Sequence, residues 1–84
     1  MNDLGKIIRF HRKKSQLTQQ ELATLAGVGK TVVFDIEKGK RSIQMDTLMK
    51  ILIVLNIRLQ FESPLMQEFS TQGEEEDEES ERLR

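Results

Sequence analysis

Lys30, Thr31, Phe34 and Asp35 fall on one outward face of a short stretch with helical spacing. Together they offer an ammonium donor, a hydroxyl, an apolar ring and a carboxylate acceptor. That set suits reversible recognition of a polar edge. Lys38, Lys40 and Arg41 follow just beyond and suit an array of anions. Bond-making chemistry is poorly provided for. The chain has no Cys, no Tyr and one His, so a thiolate site, a disulfide and a His cluster are all excluded. Gly27 and Gly29 do not make a dinucleotide fingerprint, because no strand precedes them. The residues therefore read as non-enzymatic, with no metal and no cofactor. His11, without partners, reads as structural or solvent-facing, and Phe10 beside it as packing.

The elements that position these groups are two short helices and a tight turn between Leu17 and Arg41. Thr18 can accept from an orphan backbone N–H, and Glu21, three residues on, can reach back to complete a capping box. Leu22 with Leu25 or Ala26 forms the buried face of this first helix. Gly27 ends it, because glycine tolerates the left-handed conformation. Val28 turns inward. A second helix runs from about Lys30 to Lys38, with Val33 and Ile36 buried and Gly39 as its stop. This is the sequence form of a helix-turn-helix, whose second helix sets its first residues against base edges in the major groove. Lys30, Thr31, Phe34 and Asp35 would read bases. Lys38, Lys40 and Arg41 would meet phosphates.

TQQELA at residues 18–23, the glycine turn and DIEKGKR at residues 35–41 resemble the lambda repressor/Cro (Xre-type) family. The longer run over residues 29–62 resembles the narrower HipB-type antitoxins. The resemblance covers about Leu4 to Glu62. It implies a mainly α fold of four helices plus one short C-terminal strand that pairs across a homodimer. It implies that Gln19 reaches a phosphate, where the residue alone is also an ordinary first-turn glutamine. It implies a pair between Arg12 and Glu37, where the bland alternative is two solvated charges. The family often has glycine at position 16, and Gln16 departs from that.

At 84 residues the chain makes one small domain with a modest core, so association with a second copy matters. The net charge of −1 hides a division. Residues 1–66 hold 11 Lys and Arg against 6 Asp and Glu, while residues 67–84 hold 2 against 8. The first part reads as the DNA-binding and dimerisation domain, and the second as an acidic disordered tail. The tail can mimic DNA, shield the basic part, recruit a partner, invite a protease or merely aid solubility. No run approaches the ~20 apolar residues needed to span a bilayer. No cleavable leader is visible, and a cytoplasmic protein without membrane contact is the expectation.

A first helix from Asp3 to about Lys14 buries Leu4, Ile7 and Ile8. Ile43 plugs the loop before a fourth helix, about Met45 to Leu55, with Leu48, Ile51, Leu52 and Leu55 inside. Ile53 and Val54 widen its apolar surface beyond one face, which calls for cover from a partner. Asn56 caps it. Residues 57–62 then alternate strictly, placing Ile57, Leu59 and Phe61 on one face of a half-buried strand. No second strand is visible, so the ladder has to be completed by another copy. Ile53, Val54, Ile57, Leu59 and Phe61 are the expected dimer interface.

The expected function is a sequence-specific repressor that binds a palindromic operator in double-stranded DNA as a homodimer. The HipB-type resemblance implies an antitoxin role with a HipA-type Ser/Thr kinase toxin as partner. The alternatives are a stand-alone phage- or plasmid-type repressor, and a protein-interaction module that has lost DNA binding.

Overall fold

The computed structural model describes residues 3–73. Four helices form its body: α1 (Asp3–Lys14), α2 (Gln19–Ala26), α3 (Lys30–Glu37) and α4 (Met45–Val54). A single turn, α5 (Met66–Glu68), runs into a π-helical turn at Phe69–Gly73. In the body, α2 packs on both α3 and α4, and α1 packs on α3.

Local chemistry sets each boundary. Asp3 lies in the first turn of α1, and His11, Arg12, Lys13 and Lys14 lie in its last, which suits the helix dipole at both ends. At the start of α2 the Glu21 amide donates to Thr18 Oγ1 at 3.0 Å, and the Thr18 amide donates to Glu21 Oε1 at 2.8 Å. Both halves of the capping box are made. Gly27 sits at φ 72°, and the Val28 amide donates to the Ala23 carbonyl at 2.9 Å. The chain thereby turns sharply into α3. Gly39, at φ 102°, ends the exit from α3. Gln16 and Asn56 also take left-handed backbone, both at φ 59°. Gln16 thus adopts the conformation for which a glycine is better suited, at a steric cost of ~1–3 kcal/mol.

Ile8, Leu22, Ala23, Ala26, Val33, Ile36, Leu48, Ile51, Leu52 and Leu55 make one contiguous core. Leu4, Val28, Ile43 and Ile57 pack around its edge. One expected core residue lies outside, and one open choice is decided. Ile7 is 42% exposed: α1 packs chiefly on α3, and one main neighbour covers a narrow stripe. Leu25 is 62% exposed, and the small Ala26 takes the core position where α2 comes close to its neighbours.

The expected strand is absent among the described residues. Residues 57–63 have no regular secondary structure, and no backbone hydrogen bond joins 58–62 to another segment. The reason is the one that called for a partner: a strand exists only with a ladder neighbour, and the described residues offer none. Leu59 and Phe61 consequently stand exposed instead of lying over α4. The expected tail, residues 67–84, falls only partly within the described residues. Residues 67–73 are helical, and only Glu68 among them is charged. The acidic block itself, from Glu74, lies outside the described residues.

Gly5 is the fold's least replaceable small residue. It is buried within α1, and a Cβ there would overlap the Ile36 carbonyl oxygen and crowd the Glu37 backbone. Alanine ordinarily stabilises a helix interior by ~1 kcal/mol over glycine. Gly5→Ala should reverse that sign and destabilise by about 1–3 kcal/mol through overpacking. Urea or thermal melts of the two proteins measure it.

Candidate nucleic-acid interface

A buried charge cluster holds α3 in place. Arg12 Nε and Nη2 donate to Glu37 Oε2 and Oε1 at 2.6 and 2.9 Å, a two-point fork between α1 and the end of α3. Arg12 Nη1 donates to the Leu17 carbonyl at 2.8 Å, and Gln19 Nε2 donates to Glu37 Oε1 at 3.1 Å. Three helices thus meet at the Glu37 carboxylate, and the α1–α2 turn joins them through the Arg12 guanidinium. The Arg12 and Glu37 side chains are only 10% and 4% exposed. Burial pushes the Glu37 carboxyl upward, but hydrogen bonds from Arg12 and Gln19 and the charges of Arg12 and Arg9 outweigh it, so its pKa is lowered. The Arg12 guanidinium is raised, chiefly by its bond to Glu37 and against the desolvation of its own burial.

With α3 so fixed, its outer face lies open. Lys30 and Thr31 in its first turn are exposed, Phe34 is exposed one turn later, and Asp35 is half-buried. Two loose contacts order this face. Lys38 Nζ lies 5.2 Å from the centre of the Phe34 ring. Lys40 Nζ lies 3.8 Å from Asp35 Oδ2. Lys38, Lys40 and Arg41 are all exposed at the exit from α3. Gln19 is half-buried at the start of α2, with one amide hydrogen committed to Glu37 and one left to give. Arg9, Arg12, Gln19, Phe34, Glu37 and Lys38 line a concavity of about 240 Å³ between α1, α2 and α3.

Sequence reasoning counts Arg9 among the cations of the first helix but does not place it at this concavity, although it lies three residues before Arg12 and therefore on the same side of α1. That spacing was the available signal. It also missed Gly5, for which a glycine inside a helical pattern was the hint. The expected dimer residues lie together late in the chain. Ile53 is 71% and Phe61 72% exposed, Leu59 is exposed, and Val54 and Ile57 are half-buried. Among the described residues no three His, Cys, Asp or Glu side chains cluster as a metal site would need, and no helix is long and apolar enough to cross a membrane.

The helix-turn-helix family model matches residues 8–61. The chain is 36% identical over 62 residues to a protein of Sinorhizobium fredii (strain NBRC 101917 / NGR234), named as uncharacterized HTH-type transcriptional regulator y4mF. That match covers 74% of this chain and 82% of the relative. The chain is also 38% identical over 56 residues to the ImmF control region 10 kDa protein of Bacillus phage phi105. Here the match covers 67% of this chain and 62% of the phage protein.

Removing one partner of a buried pair strands the other charge and costs ~3–5 kcal/mol. Arg12→Met and Glu37→Met should each fall in that range, and the double variant should lose less than their sum. Chemical melts of the four proteins give the coupling. The pair also predicts an acid response. With the folded Glu37 carboxyl below its unfolded value of ~4.3, its stabilisation is complete above that value and fades as pH falls through the folded one. Stability measured against pH in the native chain and in Glu37→Gln should differ by a slope confined to that acid window.

Proposed function

The chain belongs to the lambda repressor/Cro (Xre-type) helix-turn-helix family, and from that premise we propose that it is a sequence-specific repressor of transcription. The observation that carries the reading is the uncovered outer face of α3, with Lys30, Thr31 and Phe34 exposed and cations at its exit. Lys30 would donate to guanine O6 and N7, and Asp35 would accept from cytosine N4 after leaving Lys40. Phe34 would touch a thymine methyl. Gln19, Lys38, Lys40 and Arg41 would take phosphates, which set orientation without reading sequence. Residues 1–66 would carry both this surface and the means of dimerisation.

Operator recognition of this kind is bivalent. Two copies place their α3 helices in successive major grooves, ~34 Å apart, on a palindromic site. Support for a homodimer comes from the exposed apolar groups Ile53, Leu59 and Phe61 and from the unpaired backbone of residues 58–62. Ladder pairing of that segment with its copy would satisfy both at once. An antitoxin role with a HipA-type kinase as partner rests on the HipB-like run alone. The phage relative's name, a control region protein, favours the stand-alone phage-type repressor. Purification from the native host separates these: a kinase travelling with the chain supports the antitoxin, and its absence leaves the repressor.

Two experiments test the core of the reading. Lys40→Ala should weaken binding to all DNA sequences alike and flatten the salt dependence by roughly one unit, whereas Lys30→Ala should relax preference at one base pair at a cost of ~1–3 kcal/mol. Uniform losses in both variants, by binding titration across operator and scrambled sites, would remove the division of roles. For the dimer, Leu59→Pro deletes a ladder donor and an apolar contact together. Sedimentation should then show monomers with unchanged helix content. A tight Leu59→Pro dimer would place the interface on the helices instead.

A further inference from the structure

Charge is separated along this chain in a way the DNA reading does not use. Residues 74–81 carry seven carboxylates, with Ser80 the only neutral position. The helical body shows the opposite sign on one side. Arg12 is matched by Glu37 and Lys40 loosely by Asp35, but among the described residues Lys30, Lys38 and Arg41 make no ion pair within 4 Å, and Arg9 acts on the already committed Glu37 only through its charge. Arg9 and Lys38 both line the concavity between α1, α2 and α3, together with Gln19 and Phe34.

We propose that the acidic segment 74–81 docks on this Arg9–Lys38 cleft and the adjoining basic exit of α3, as an internal competitor for the site of a polyanion. Eight residues reach up to ~26–29 Å, about the width of a small domain, so the segment can lie along the cleft and beyond it. Each contact is weak and screened by salt, and affinity comes from the tether, which gives an effective concentration in the millimolar range. DNA displaces the segment because its phosphates engage the same cations and release condensed counterions. The docking stands on charge and geometry alone; only its consequence for repression rests on the function proposed above.

The test compares the full native chain with a full-length variant in which the seven carboxylates become amides, Glu→Gln and Asp77→Asn. Without DNA, the Arg9 Nε–H and the Lys38 amide resonances should differ between the two at ~0.01 M salt. They should converge at ~1 M, where the screening length is ~3 Å. In titrations, the neutralised chain should bind operator and non-operator DNA about tenfold tighter at low salt, with the gap closing as salt rises. Identical resonances at Arg9 and Lys38 at low salt overturn the docking. A gain in DNA affinity without that spectral difference overturns it too, assigning the gain to net charge. If neither chain binds DNA, the repressor reading fails while the spectra still decide the docking.

Discussion

The Arg12 guanidinium is the constraint on which the rest of this molecule depends. A charge that far from water is sustained only by a matched acceptor, and Glu37 is that acceptor. The two can meet only if α1 lies directly against the end of α3. Gly5 makes that approach sterically open, since its missing side chain leaves room for the backbone of Ile36 and Glu37. Gln19 and the Leu17 carbonyl then bind α2 and its preceding turn to the same cluster. The angle at which α3 leaves the body is therefore set by electrostatics at one end and by the apolar contacts of Val33 and Ile36 along its length. Apolar packing alone would allow small slides of α3. A two-point guanidinium–carboxylate fork is directional and does not.

The outer surface of α3 is organised by a softer kind of contact. Lys38 over Phe34 and Lys40 near Asp35 are exposed pairs, each worth at most ~1 kcal/mol. They hold side chains near one arrangement without committing them. A ligand with stronger donors and acceptors rearranges them at little cost. Strong interactions thus lie beneath the reading helix and weak ones upon it. That division gives an orienting scaffold with an adaptable face.

Much of this was legible from residue types. The Thr18–Glu21 box, the glycine at 27 and the periodicity of Val33 and Ile36 are local signals with local causes, and the helices follow them. Periodicity finds the centre of a buried face but not its width. Ile7 and Leu25 sit at face edges, and their exposure depends on how many neighbours each helix has. Gln16 carries no propensity for left-handed backbone; the requirement comes from the geometry of the turn between α1 and α2. At the recognition surface, the types of Lys30, Thr31 and Phe34 spoke for outward placement. The bond from Gln19 to Glu37 arises from the meeting of α2 and α3, and single-element patterns do not contain it. The expected strand is the clearest case: alternation is a property of residues 57–62 themselves, while a ladder needs a neighbour that the described residues do not supply.

The end of α4 has a consequence for turnover. The core is secured as far as Ile57, whose amide donates to the Leu52 carbonyl at 2.9 Å and whose side chain packs on the core edge. The next residue, Arg58, is exposed, and the backbone from there to Glu62 makes no hydrogen bond to other backbone among the described residues. Exposed segments of this kind are where proteases cut first. A trypsin-like cut after Arg58 would leave every core residue and the whole face of α3 in place. It would also remove Leu59, Phe61 and the acidic segment together. Degradation at that point would be a graded event, yielding a folded fragment that keeps its reading helix and loses its C-terminal arm before the body is destroyed.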